Sequence, residues 1–201
     1  MKAGIALVAA AALVLGSPSL AAAQLAVSAN DGKQLRPGQS PDGRTADTVS
    51  IIDIRQGSAR VIGTVEAPAS LIGPPASVAL APDESFALVT AAQALEGDFV
   101  VTGDTLSVID LGAPDNPRVV QTLPAGSGAT GVAINRAGTL ALVASTGSDK
   151  ISIFSISGGR LTPAGEVRLN YQSRPTDVVF SPNGATALAI AQSTNQIVRL
   201  S

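Results

Sequence analysis

The side chains that carry most enzyme chemistry are missing: the 201 residues include no His and no Cys. A Ser-His-Asp or Cys-His nucleophile, a thiolate or imidazole zinc site, an iron–sulfur cluster and a His-ligated haem are therefore all excluded. Any catalysis has to run on carboxylates, Lys, Arg or Tyr. Two groups of such residues stand out. Arg174 and Asp177 lie at the head of a repeated segment, and Ser77 and Gly131 hold the place of Asp177 in two earlier copies. An ion pair of Arg174 with Asp177 could grip a polar ligand. Glu96, Asp98, Phe99 and Asp104 form an acidic patch with one aromatic inside an insertion loop around Ala94 to Gly103, and long loops in compact domains are often functional. Arg174, Asp177, Ser77, Glu96, Asp98 and Phe99 are thus the candidate ligand-binding residues, and none of them sits in a recognisable catalytic motif.

Asp53 and Asp110 recur at one place near the end of an apolar run, which could suggest carboxylates gathered around a metal. The stronger reading is local: an Asp ahead of a turn accepts the backbone N–H two residues on and helps end a strand. Ser155 holds that place in the next copy, as a weaker version of the same turn chemistry. The pairs Asp31-Gly32, Asp42-Gly43 and Asn183-Gly184 read as turn formers whose glycine supplies a positive φ. None has the ligand spacing of a calcium loop, so neither a metal nor a cofactor is expected.

Charge narrows the partners. With 13 Lys plus Arg against 15 Asp plus Glu, a net charge of -2 and a pI near 5.0, no basic stripe exists to neutralise phosphates, and no nucleic-acid partner is expected. The N-terminus reads as an address. Lys2 precedes an apolar run from Ala3 to Leu15, closed by Gly16-Ser17-Pro18 and followed by Ala21-Ala22-Ala23. This is the pattern of a secretory signal over 1–23 with cleavage near Ala23, and the run is too short for the ~20 residues of a spanning helix. The mature chain is therefore expected in the periplasm or secreted medium, free of the membrane.

What positions these residues is a repeat. Ala76-Ser77-Val78-Ala79-Leu80-Ala81-Pro82-Asp83, Thr130-Gly131-Val132-Ala133-Ile134-Asn135 and Thr176-Asp177-Val178-Val179-Phe180-Ser181-Pro182-Asn183-Gly184 are one motif. Each is followed across a turn by a second apolar run beginning at Phe86, Leu140 or Ala187, a hairpin signal. Third runs start at Val49, Leu106, Ile151 and Ile197, and fourth runs cover 59–66, 118–123 and 165–169. The third runs are spaced by 57, 45 and 46 residues, close to the period of a propeller blade. Four strands per unit is the content of such a blade. Helices are disfavoured because 20 Gly and 13 Pro punctuate the chain. The expected fold is an all-β propeller of four-stranded antiparallel blades, with blade 1 (partial) at 24–69, blade 2 at 70–124, blade 3 at 125–170 and blade 4 (partial) at 171–201. Polar insertions at 30–48 and around 94–103 should emerge at the same end of their blades.

The run Leu25-Ala26-Val27-Ser28-Ala29-Asn30, the turns Ser181-Pro182-Asn183-Gly184 and Ala81-Pro82-Asp83-Glu84, and the Ile-Asp-Ile and Ile-Asp-Leu endings of the third runs resemble YVTN-type repeats of the YncE-like, lactonase-like β-propeller group. The resemblance covers 24–201. It implies an exported protein and a ring of usually seven blades, and it offers lactone or ester hydrolysis as one function. The missing His favours the other reading, a non-catalytic binding or scaffold propeller that takes a protein or small ligand through its rim loops and channel mouth. The strand tally, three, four, four and three, reads as the N-terminal portion of a longer ring in preference to a closed four-bladed one. Such a portion is expected to self-associate through the open edge of its last blade.

Overall fold

The computed structural model describes residues 24–35, 37–55, 58–71 and 75–201. The signal-like segment 1–23 lies outside the described residues.

Runs of Val, Ile, Leu and Ala broken by turn residues fold into fourteen strands. Sheet 1 holds β1 (Leu25–Asn30), β2 (Thr48–Asp53) and β3 (Arg60–Glu66). Sheet 2 holds β4 (Val78–Leu80), β5 (Phe86–Glu96), β6 (Phe99–Asp110) and β7 (Arg118–Pro124). Sheet 3 holds β8 (Ala129–Ile134), β9 (Leu140–Ser145), β10 (Lys150–Ser157) and β11 (Arg160–Arg168). Sheet 4 holds β12 (Pro175–Phe180), β13 (Ala187–Ala191) and β14 (Gln196–Leu200). Every pairing is antiparallel and follows chain order. Among the described residues there is no α-helix. This is the all-β propeller architecture expected from the repeat.

Three apolar cores lie between the four sheets. Val49 and Ile51 meet Ala87, Val89 and Ile109 between sheets 1 and 2. Leu88, Leu106 and Val108 meet Val132, Val143 and Phe154 between sheets 2 and 3. Leu142 and Ile151 meet Val178 and Ala189 between sheets 3 and 4. Burial on both faces explains why these strands are apolar at successive positions instead of alternating. Each sheet turns its first strand to one common edge, where β1 touches β4, β4 touches β8, and β8 touches β12.

Four local expectations change. The segment 76–81 supplies only three strand residues, because Pro75–Ser77 forms a 3-10 turn that Pro75 opens with a fixed φ and no N–H to donate. The insertion around 94–103 is no loop: Phe99-Val100-Val101-Thr102 pairs with Gln93–Glu96 across Gly97 (φ 61°), prolonging β5 and β6 into a two-stranded ribbon. Ser155 does not end its strand, since β10 runs on to Ser157 and the Ser155 hydroxyl donates across the pair to Thr162 O (3.3 Å). Of the three paired glycines only Gly184 has a positive φ (70°). Gly43 closes a 3-10 turn, Pro41–Gly43, and Gly32 is required by space, since a Cβ there would meet the Thr45 hydroxyl and carbonyl.

Candidate functional site

Both predicted groups lie at one end of the molecule, where β4, β8 and β12 begin and β5, β9 and β13 finish. Ser77, buried in its 3-10 turn, offers its carbonyl to the Thr90 hydroxyl (3.3 Å), which also donates to Thr130 O. Gly131 follows on β8 and faces the next sheet so closely that a Cβ would stand 2.7 Å from Asp177 Cα. Asp177 is half-buried, and its Oδ1 accepts the Val178 N–H (2.7 Å).

Arg174 is exposed just ahead of β12 and carries a left-handed backbone, φ 48°. Gln172 (60°) and Asp149 (50°) share that strain, which costs roughly 1–2 kcal/mol per non-glycine residue and persists where surrounding bonds over-determine it. Here Asp149 supplies those bonds, accepting the N–H groups of Gln172 and Arg174, both at 2.8 Å. The expected ion pair is absent: among the described residues no salt bridge joins Arg174 to Asp177 or to any other acid. The arrangement therefore offers an unpaired guanidinium and a half-buried carboxylate three residues apart. A guanidinium can stabilise a developing oxyanion, and a carboxylate can accept a proton from water.

The ribbon brings Glu96, Asp98 and Phe99 to the same end. Phe99 is 78% exposed and Val100 54%. Asp98 accepts a hydrogen bond from Arg44 Nη1 at 2.6 Å, so the two polar insertions, 30–48 and 94–103, meet as their positions implied. The ribbon base is tied to β8 by the Gly128 N–H, which donates to Gly103 O (2.7 Å).

Sequence reasoning missed Asp47 and Asp149. The Asp47 carboxylate accepts the Gly32 N–H (3.0 Å), the Ala69 N–H (2.9 Å) and the Lys33 ammonium, pinning the first insertion to the loop after β3. Its signal was present: Asp47-Thr-Val-Ser-Ile, Asp104-Thr-Leu-Ser-Val and Asp149-Lys-Ile-Ser-Ile open successive third strands. Their main-chain carbonyls accept the N–H groups of Ala67, Ala125 and Leu169 in turn.

At the opposite end, Asp53 and Asp110 behave as turn residues, accepting the N–H groups of Arg55 (2.9 Å) and Gly112 (3.1 Å). The Arg55 guanidinium, bonded to Asp53, holds that carboxyl down at about 2. A cavity of about 540 Å³ opens there between sheets 2 and 3, lined by Asp83, Asp110, Phe86 and Arg160. The Ser85 hydroxyl, donating to Asp83, lowers that carboxyl too. Among the described residues no group of three or more acids could hold a metal ion.

No protein-family model matches the chain, and no curated protein does. Solved structures do. A periplasmic gluconolactonase of Pseudomonas aeruginosa aligns with a TM-score of 0.55 at 17% identity, over 89% of this chain and 54% of that one. A 6-phosphogluconolactonase-like protein of Bacteroides uniformis aligns with a TM-score of 0.53 at 20% identity, over 71% of this chain and 43% of that one. Hydrazine synthase of Kuenenia stuttgartiensis aligns equally well, TM-score 0.53 at 24% identity, over 71% and 35%. The chain thus spans from about a third to about half of the length of these structures. One architecture hosts several chemistries, and what the likeness shows is that architecture: the four sheets are blades of a lactonase-like β-propeller.

Proposed function

We propose that this propeller hydrolyses a sugar-acid lactone at the end that carries Arg174 and Asp177. The observation that carries the reading is the fold shared with the gluconolactonase of Pseudomonas aeruginosa and the 6-phosphogluconolactonase-like protein of Bacteroides uniformis. Arg174 and Asp177 supply groups of the required kind. Water attacks the lactone carbonyl as Asp177 takes its proton, Arg174 stabilises the oxyanion, and on collapse the ring C–O bond breaks and its oxygen takes the proton back from Asp177, giving the hydroxy acid and restoring the carboxylate. A carboxylate is a weak base at neutral pH, and it suffices for an activated ester. Assignment to the YVTN branch of the fold belongs to the same proposal and rests on the Ile-Asp-Ile and Ile-Asp-Leu strand ends. Export is proposed from the signal-like sequence 1–23, and the periplasmic neighbour supports it.

The test is acid release from glucono-δ-lactone in a pH-stat. Turnover above the spontaneous rate, lost in Asp177→Asn, supports the reading; a folded chain that never exceeds the spontaneous rate overturns it. A second reading, a binding propeller, is favoured by one feature, the exposed Phe99 at the tip of a ribbon braced by Arg44.

A further inference from the structure

The cavity of about 540 Å³ between sheets 2 and 3 lies at the end away from Arg174 and Asp177, and the local sequence explains why room is left there. One blade earlier the corresponding strip of β3 is covered. The loop after β6 lies on Gly63, where a Cβ would meet Pro114 O and stand 2.7 Å from Pro117 Cδ. Between sheets 2 and 3 that loop has no counterpart, because β10 returns into β11 through Gly158-Gly159 alone, both left-handed (φ 56° and 70°). Gln121, at the register position of Gly63, reaches across instead, donating to Leu161 O (2.8 Å) and accepting the Leu161 N–H (2.9 Å). The two sheets are thus tied while the space beside the tie stays open.

The walls carry opposite charges that do not meet. On sheet 2, Asp83 accepts the Ser85 N–H (3.1 Å) and hydroxyl (2.7 Å), and Asp110 accepts the Gly112 N–H (3.1 Å), all at Oδ1. Among the described residues no hydrogen bond takes the Oδ2 of either. On sheet 3, Arg160 is exposed and has no ion-pair partner among the described residues. Phe86, Ile156 and Val120 supply apolar lining, and Gly159 keeps the Phe86 ring accessible, since a Cβ there would lie 4.0 Å from its Cδ1.

We propose that this cavity binds a small zwitterion with an apolar body, the chemistry of a short peptide with both ends free. The ammonium meets Asp83 and Asp110, the carboxylate meets Arg160, and the side chains lie on Phe86 and Val120. Opposite charges held apart in one cavity select this class over its neighbours. A phosphate or a sugar acid satisfies Arg160 but faces two carboxylates, and a simple cation faces the guanidinium. A divalent metal finds two carboxylates opposed by a cation, where a hard ion wants six or more oxygens. The volume lies within the ~300–1,000 Å³ of small-ligand sites. Because the ligand touches both sheets, its binding tightens the contact between blades 2 and 3.

The probe is L-alanyl-L-leucine, compared with N-acetyl-alanyl-leucine, which lacks the ammonium, and alanyl-leucine amide, which lacks the carboxylate. Amide shifts at Ser85, Phe86, Gly158 and Gly159 are expected to saturate with the free peptide below about 10 mM, and the melt to rise with its concentration. Each capped form should bind about threefold or more weakly. Arg160→Gln should remove the preference for a free carboxylate and keep that for a free amine. Asp83→Asn combined with Asp110→Asn should do the reverse, and Asn keeps the acceptor that each turn uses. The proposal fails if the shifts do not saturate or if the capped peptides bind as well as the free one. It also fails if folded Arg160→Gln still distinguishes carboxylate from amide as the parent does.

Discussion

Gly131 and Asp177 bring two successive blades into close approach at their common edge: a Cβ on Gly131 would stand 2.7 Å from Asp177 Cα and 3.0 Å from its carboxylate. The obstructing Cα is backbone, held by the Asp177–Ile190 and Val178–Ala189 pairings, and cannot swing away as a side-chain tip would. Gly131→Ala should therefore separate β8 from β12 and destabilise the chain by about 1–3 kcal/mol, the range for overpacking. A thermal melt checks it, and an unchanged midpoint would show that the sheets slide freely.

Asp149 holds the Arg174 segment. Removing its carboxylate in Asp149→Ala strands two N–H groups and leaves Ala at φ 50°. A loss of about 1–3 kcal/mol is expected, with faster amide exchange at Gln172 and Arg174. Asp149→Asn should lose less, because Asn keeps an acceptor and tolerates the left-handed region. Equal losses in both variants would mean that the carboxylate charge, and not its geometry, is what matters.

The strand positions were legible in the sequence because they rest on local pattern. Leu25–Asn30 appeared with its observed bounds, and Asp53 and Asp110 were read correctly as strand-ending residues, since an i to i+2 hydrogen bond needs no tertiary partner. The ribbon was not legible. Ala91-Ala92-Gln93-Ala94-Leu95-Glu96 is rich in helix-favouring residues, and only the pairing of Ala91 with Thr105 and of Gln93–Glu96 with Phe99–Thr102 makes it a strand. The Arg44–Asp98 contact joins two insertions far apart in the chain, and no periodicity announces it. Arg174 was singled out for its charge, whereas its distinguishing property is a backbone conformation that the Asp149 carboxylate imposes from 25 residues away.

The Arg44–Asp98 bridge should matter for position and hardly for stability. The Asp98 side chain is 76% exposed, and such pairs contribute about 0–1 kcal/mol. Arg44→Ala is expected to leave the melt within a degree or so while exchange at Gly97, Asp98 and Phe99 rises. If exchange there stays as in the parent, β5–β6 pairing alone fixes the ribbon.

Asp53 gives a pH signature. Its folded value, about 2, lies below its ordinary 3.8 because Arg55 bonds to it, so the unfolded chain binds the proton more readily. The stabilisation is present above about pH 4 and is lost as pH falls through about 2. Denaturant melts between pH 5 and 2 should show this slope in the parent chain and a shallower one in Asp53→Asn. Arg55→Ala should also flatten the slope, because without the guanidinium the folded value returns toward the unfolded 3.8 and little pH-dependent stabilisation is left to lose. The same slope in all three would assign the acid sensitivity to other carboxylates.

The backbone of Arg174 sets stability against function in a way that one substitution can read. At φ 48° an arginine is strained and a glycine is not. Arg174→Gly relieves that strain but loosens the unfolded chain, so the net effect should fall between no change and about 1 kcal/mol of added stability. If the guanidinium is kept at this awkward place to meet a lactone's oxyanion, the same variant should lose turnover by about 10²-fold or more. Arg174→Lys, which keeps a charge without the planar fork, should recover part of it. Stability and activity moving in opposite directions is the mark of strain retained for function. A glycine variant that is as stable and turns over lactone as fast as the parent would leave Arg174 a solvated loop residue and remove it from the site.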